Sequence, residues 1–568
     1  MTEQPKPTAA QLVPWIVLGV VQLYFTWRAM VQPPAWQLLA ECAALLLVGV
    51  SQGVLGRGVW RSSLMAGAAG TVIALSILKP AGTLPASIYL LGVVVLVGWV
   101  VKVLERGFQP GLVTGVLFAL LAGVGLRMGV LLQLTGQQIE VLKGGAVRGA
   151  WDRLVYELGE PGQRSMAPSS SDGPPMVLIS VDTLRGDLGR EMESYKRLAE
   201  HGGSWPAAMS TSSWTLPGTA SIATGLLTGE HGAGFHPDGH YQGISPDVRT
   251  LAEDLQAAGY STAAIASNPW VSRQMGFDRG FDRFVQILDF FPHQLLVTGV
   301  PRTEVLPNHA DPMVDRVLGW IDSAPERGWY LWVHVIDPHM PYDRADDTRF
   351  HGVTSADLRA GELLDADAKE GMRRSYQQMV DMTDASLLPL LDALEAKGVF
   401  ESGLVAFTSD HGEELWDHDN AGHGHSHHGE VLDVPLALVA PGLAPGVRSE
   451  AASVADIAST FRAAAGLETS GVDLRDEQPT DRVVTAWGNL HYGIERSART
   501  GEARLIVDEE SGEARYFHLA HDPLEQRPGA VPEGDPLAAA VEGVVEPPRA
   551  EAVELDDMSA LQALGYVE

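Results

Sequence analysis

The sequence predicts an α/β fold, a largely parallel sheet with helices on both faces, preceded by an all-α transmembrane bundle. Three observations carry this reading. From residue 176 onward, short apolar runs alternate with segments of helical period, as successive βα units do. Three of those runs are followed at once by Asp or by an Asp/His group. Before them, residues 12–135 hold five long apolar stretches, each near the ~20 residues that a helix needs to cross a bilayer.

The apolar runs MVLISV (176–181), STAAIAS (261–267), WYLWVHVI (329–336), LVAFTS (404–409) and VPLALVA (434–440) read as buried strands. Between them, 248–258, 312–323 and 370–397 carry helical spacing. In open sheets of this kind, ligands bind beyond the carboxyl ends of the strands. MVLISV delivers Asp182, WYLWVHVI delivers Asp337-Pro338-His339, and LVAFTS delivers Asp410-His411. One acid after one strand is commonly a turn or a helix cap. Three such strand ends point to a shared site.

The apolar stretches of the first part span roughly 13–31, 36–56, 62–80, 84–103 and 109–133. They define a membrane domain over 1–135, followed by a linker over 136–175, the α/β domain over 176–530 and a C-terminal tail over 531–568. Within the linker, Pro168–Pro175 has the composition of a flexible segment. Charge divides the chain at the same place. Residues 1–135 contain 3 acids and 8 bases, leaving 68 acids and 32 bases beyond them, so the two parts carry +5 and −36. So acidic a body repels polyphosphate, which argues against nucleic acid as a partner. With a cytoplasmic N-terminus, Lys6, Arg57, Arg61, Lys102 and Arg106 fall inside, and Arg28 and Lys79 outside. Five spans then place the α/β domain outside the cytoplasm, with the bilayer as a partner. Cys42 is the only cysteine, which excludes an intramolecular disulfide and a multi-Cys metal site.

Residues 211–229 read TSSWTLPGTASIATGLLTG, a loop running into a helical period with Pro217 and Gly218 at the turn. Thr215 falls at or just before the helix N-terminus. There it is either a helix cap, as Thr often is, or a nucleophile beside N–H groups that favour an anionic ester. The densest titratable cluster is the run GHGHSHHG (422–429), where His427 and His428 also fit a loop that binds metal only adventitiously.

Six pieces in order carry a resemblance: VLISVDTLRGD, WTLPGTASIATGLLTGEHG, GYSTAAIASNPWVSRQMGFDRGFD, VHVIDPHMPY, FTSDHGEEL and GHGHSHHGEVLDVPL. Over about 174–530 the chain resembles the sulfatase branch of the alkaline phosphatase superfamily, and the closing LQALGYVE resembles the end of many bacterial members. The resemblance implies an alkaline phosphatase/sulfatase-like fold and one divalent metal held by Asp182, Thr215, Asp410 and His411. Two carboxylates, a hydroxyl and an imidazole suit Mn²⁺ or Zn²⁺ better than Ca²⁺. A second metal stays open. It further implies Thr215, His339 and His425 as catalytic residues, and Arg185, Thr219 and His423 as substrate contacts, with Asp187 supporting Arg185.

Two departures matter. Sulfatases that use formylglycine carry Cys or Ser followed by x-Pro-x-Arg, whereas this chain has Thr215-Leu216-Pro217-Gly218-Thr219. The frequent Asp-Asp metal pair is here Asp182-Thr183. Threonine is the nucleophile in related phosphodiesterases, lipoteichoic-acid synthases and phosphoethanolamine transferases. The resemblance therefore implies hydrolysis or transfer of a phosphodiester-type ester, with a lipid-linked or envelope-glycan substrate. A sulfuric ester hydrolase and a non-catalytic binding protein of the same fold are the alternatives.

Overall fold

The computed structural model describes residues 166–235, 240–286, 309–354, 357–358 and 365–547. All of them fall in one compact unit, Glu157–Phe291 with Pro301–Glu568. The five apolar runs of the first part, and the closing LQALGYVE, lie outside the described residues. Among the described residues, no helix is long and apolar enough to cross a membrane.

The core is an eight-stranded sheet. In chain order its strands are β1 (Met176–Val181), β2 (Gly203–Ser204), β3 (Ser261–Ala266), β4 (Arg283–Gln286), β5 (Trp329–Val335), β6 (Leu404–Ser409), β7 (Leu436–Val439) and β8 (Gly446–Val447). Across the sheet they run β8-β2-β7-β6-β1-β5-β3-β4. The block β4-β3-β5-β1-β6 is parallel, and β7 pairs antiparallel with both β6 and β2. All five runs read as strands thus enter the sheet. The short pieces β2, β4 and β8 have too few apolar residues to stand out in the sequence.

Helices α1 (Glu193–His201), α2 (Thr215–Thr224), α3 (Leu251–Ala257), α4 (Ala310–Ser323), α5 (Ala366–Ala396) and α6 (Asp456–Ala464) cover the faces. Alternation along β1 sorts its side chains between two cores. Val177, Ile179 and Val181 pack with residues of α1, α4 and α5, while Met176 and Leu178 pack with residues of α2, α3 and α6. Every residue of β1 is buried, which is why it reads as a continuous apolar run. Local signals start the helices. Thr250 and Glu253 exchange side-chain-to-backbone bonds across the first turn of α3, and Asp365 accepts from Ala368 N–H at 2.7 Å to open α5.

Ser169–Gly173, composed like a flexible linker, is tied down in the fold. Ser170 and Ser171 N–H donate to Gly259 O at 2.9 and 3.2 Å, and Gly328 N–H donates to Gly173 O at 2.8 Å. A second, antiparallel sheet follows: β9 (Val484–Trp487), β10 (Glu495–Arg499), β11 (Ala503–Asp508) and β12 (Ala514–His518). Helix α7 (Pro536–Glu542), within the stretch assigned to the tail, packs Leu537 and Val541 into this sheet's own apolar cluster.

Candidate active site

The parallel strands deliver their polar residues to one edge. Asp182 follows β1, Asp410 and His411 follow β6, and His334 is the next-to-last residue of β5, paired in register with Ser180. Asn268 stands two residues past the end of β3. All five are buried.

Asp182, His334 and Asp410 place one ligand atom each within 4.8 Å of one another. His411 Nε2 lies 3.6 Å from Asp182 Oδ1 and 3.7 Å from Asp410 Oδ2. Neighbours orient each group. Trp332 Nε1–H donates to Ser180 Oγ at 2.8 Å, and Ser180 Oγ meets His334 Nδ1 at 2.9 Å, which turns His334 Nε2 toward the carboxylates. Thr219 Oγ1 donates to Asp410 Oδ2 at 3.1 Å, and Asn268 Nδ2 donates to Asp182 Oδ2. His411 Nδ1 is 2.9 Å from Gly412 O, so that nitrogen carries the proton and Nε2 presents a lone pair.

These residues fit a divalent cation. Asp182 Oδ1 and His334 Nε2 are buried polar atoms without a hydrogen-bond partner, an expensive arrangement unless an ion completes it. Burial pushes the Asp410 carboxyl up to about 6. Burial, and then the charge of Asp410, holds Asp182 well above the ordinary carboxylate range. Burial also pushes His334 and His411 down to about 4, so both imidazoles stay neutral, the form that binds metal.

Thr215 is the first residue of α2 and fully buried. The cap position belongs to Trp214, whose side chain makes no capping bond. The Thr215 hydroxyl instead lies 3.2 Å from His411 Nε2. A second histidine layer adjoins it. The His423 ring packs 4.5 Å from His411 and 5.1 Å from His339, and its Nδ1 meets Glu413 Oε1 at 2.9 Å. Burial pushes Glu413 up to about 7 and His339 down to about 3.

A family model described as Sulfatase matches residues 174–467, more than half of the chain. The chain belongs to the sulfatase family. The low-salt glycan biosynthesis sulfotransferase of Haloferax volcanii is 32% identical over 157 residues, covering 26% of this chain and 37% of that protein. The choline-sulfatase of Rhizobium meliloti is 23% identical over 423 residues, covering 62% of this chain and 79% of that one. Among solved structures, a 2-O GAG sulfatase superposes with a TM-score of 0.50 at 13% identity, covering 63% of this chain and 87% of that one. The last likeness is one of fold alone.

Within this sulfatase-family site, several expected residues take other places. Arg185 was expected to contact substrate. Its five N–H donors are all committed: Asp187 takes Nε and Nη2 at 3.1 and 2.9 Å, Asp417 takes Nη1 and Nη2 at 2.7 and 3.2 Å, and Glu413 O takes Nη1 at 3.1 Å. It thereby ties the turn after β1 to the loop after β6. Thr219, also expected at the substrate, bonds the metal-site carboxylate Asp410. His425, expected to assist the leaving group, pairs with Glu414 at 2.8 Å and neighbours Tyr492, while His423 packs against His411 and His339. His427 spends Nδ1 on Ser497 Oγ at 3.0 Å and Nε2 on Gly488 O at 3.2 Å, a structural anchor rather than a metal ligand. Asp337 accepts from Ala310 N–H at 2.8 Å, at the first residue of α4, and meets His309 Nδ1 at 3.0 Å.

The sequence reading passed over His334, Asn268 and Glu413. A histidine inside the otherwise apolar WYLWVHVI was the available signal for the first. Nothing local marks Asn268, and Glu413 is hidden in a doubled acid that reads as a solvated turn.

Proposed function

We propose that this protein is a metal-dependent enzyme that hydrolyses or transfers a phosphodiester-type ester through Thr215. The observation that carries the reading is the Thr215 hydroxyl, buried at the start of α2 and directed at His411 Nε2, where Cys or Ser of the formylglycine type would stand. Threonine retains a nucleophilic oxygen but cannot yield the aldehyde that formylglycine chemistry needs.

Asp182, His334 and Asp410, flanked by His411, would hold the cation. Bound there, a divalent cation supplies Lewis acidity to the threonine hydroxyl and to the ester oxygens. Thr215 Oγ attacks phosphorus in line as its proton passes to His411 Nε2, the bond to the leaving oxygen breaks, and a Thr215 phosphodiester that keeps the ester's other substituent forms. His423, backed by Glu413, gives that oxygen its proton, and His339 beside it contacts the ester. Water or an acceptor hydroxyl then releases the group from Thr215.

Five apolar spans and the lysine and arginine pattern support a multi-pass membrane protein with its catalytic domain outside the cytoplasm. A lipid-linked or envelope-glycan ester suits that placement, and a glycan-biosynthesis transferase among the relatives supports it. A cytoplasm-only reporter fused at residue 170 should be silent; activity there would overturn the topology. The second reading, sulfate ester chemistry, is favoured by the names of both relatives. The deciding experiment offers aryl phosphodiester, phosphomonoester and sulfate esters to the purified protein, and analyses the Thr215 peptide by mass spectrometry. Phosphodiester turnover is expected, with an adduct on Thr215 that carries phosphorus and the substituent the ester retains. A sulfate ester turned over best, with no phosphate on Thr215, would transfer the assignment to the second reading.

A further inference from the structure

We infer that Asp417, acting through the Arg185 guanidinium, positions Glu413 and with it the proton donor His423, an inference that rests on the ester-cleavage reading above. These residues meet on a hairpin that follows β6. Its ladder pairs Glu414 with Gly422 and Leu415 with Ala421, antiparallel. The residues just outside that ladder at its open end are Glu413 and His423. The pairing therefore sets them side by side, and Glu413 Oε1 meets His423 Nδ1 at 2.9 Å. At the other end lies the turn 416–420, closed by Trp416 N–H donating to Asn420 O at 2.7 Å, and this turn carries Asp417. Trp416 and Asp419 there have left-handed φ of 62° and 68°, which residues other than glycine keep only where their surroundings fix them.

One guanidinium holds both ends of the hairpin. Arg185 Nη1 donates to Glu413 O at 3.1 Å and to Asp417 Oδ2 at 2.7 Å, and Nη2 donates to Asp417 Oδ1 at 3.2 Å. Asp417 Oδ2 also accepts from Leu415 N–H at 3.0 Å, which fastens the carboxylate to the ladder. Glu413 depends on this frame. Its Oε2 is fully buried with no hydrogen-bond partner among the described residues, so the carboxylate is placed by His423 at one oxygen and by its own backbone. That backbone is pinned by Glu413 N–H on Glu430 O at 2.9 Å and by Arg185 on the carbonyl. Without the Asp417 charge, the guanidinium keeps Asp187, whose side chain is 56% exposed, and is drawn outward from Glu413 O. Lysine cannot replace the arginine, because a single ammonium lacks the planar fork that reaches all three acceptors. In the reaction the His423 N–H bond breaks as the leaving oxygen takes that proton, and the water or acceptor hydroxyl of the second step returns one to His423. A displaced Glu413 lets the His423 ring turn, so the cost falls on leaving groups that need the proton.

The test varies the leaving group. Two aryl methyl phosphodiesters are offered to the purified full-length protein, one releasing 4-nitrophenol, whose anion leaves unaided, and one releasing phenol, which needs the proton. The matching aryl sulfates are run in parallel. Asp417→Asn, which removes the charge and keeps the shape, should lower kcat on the phenyl ester about tenfold or more and on the 4-nitrophenyl ester less than about threefold, with KM and metal content little changed. Arg185→Lys should show the same split, and the double variant should be no worse than either single one, because both act through one frame. His423→Gln sets the scale, with a loss on the order of a hundredfold on the phenyl ester and far less on the other. The unfolding temperature of each variant reports whether the fold has survived. Equal losses on both esters in a folded Asp417→Asn, or no loss on either, would overturn the inference while His423→Gln still discriminates. A His423→Gln variant that does not discriminate would overturn the role given to His423 and this inference with it. The split reads the proton donor and is the same for a phosphoryl or a sulfuryl group, so a failure of the Thr215 reading shows in the adduct analysis and not here.

Discussion

Thr215 Oγ1 stands 3.2 Å from His411 Nε2, and His411 Nδ1 stands 2.9 Å from Gly412 O. The two distances together fix a direction. With Nδ1–H donating to the carbonyl, Nε2 is left to accept from the threonine hydroxyl. Thr215→Ala should therefore reduce kcat/KM by about a thousandfold or more, with the unfolding temperature little changed, and Thr215→Ser should keep measurable activity. Steady-state kinetics on the preferred ester checks this. An alanine variant within about tenfold of wild type would remove Thr215 from its role.

His334 is the ligand candidate that the strand conceals. Replacing it with Ala removes one of three groups that converge within 4.8 Å, and divalent-metal affinity should fall by at least about tenfold. Metal content after dialysis, measured by mass spectrometry on wild type and His334→Ala, reads this directly. Equal stoichiometry and affinity in both would place the cation elsewhere.

Tyr376, on α5, holds the turn that carries Asp182 into the site. Its hydroxyl donates to Thr183 O at 2.7 Å and accepts from Arg185 N–H at 3.0 Å, bracketing a Thr183 whose φ is 55°. Tyr376→Phe leaves both backbone groups buried without their partner, at a cost of about 1–3 kcal/mol. Urea unfolding should show that loss, and kcat should fall several-fold as Asp182 gains freedom. Wild-type stability in the phenylalanine variant would show that the hydroxyl holds nothing.

His418 makes stability depend on pH. Its Nδ1 meets Glu430 Oε1 at 2.6 Å and its Nε2 meets Glu525 O at 3.0 Å, so both nitrogens face acceptors. Burial opposes the charge, but the Glu430 carboxylate outweighs it, and the His418 pKa is pushed up to about 9. A folded-state value above the ordinary 6.5 gives stability that is full below about pH 6.5 and is lost as pH rises through about 9. The difference in unfolding midpoint between wild type and Glu430→Gln should thus be widest near pH 6 and close by about pH 9.5. A difference that stays constant over this range would show that the pair does not titrate as described.

The sequence by itself determined the five long strands of the central sheet and their order along the chain. Buried parallel strands need continuous apolar runs, and the acids that end them stand out because nothing in a core explains them. It also determined that threonine stands at position 215, before Pro217 and Gly218, which no fold can alter. Only the tertiary structure decided which polar groups share that edge. His334 and Asn268 arrive from strands whose neighbours are set by sheet order, and strand order is a product of long-range packing that local pattern does not encode. The same holds for Arg185. Its charge was plain in the sequence, but Asp417 lies 232 residues away, and only the folded chain brings the carboxylate to the guanidinium and spends the donors that a substrate would need.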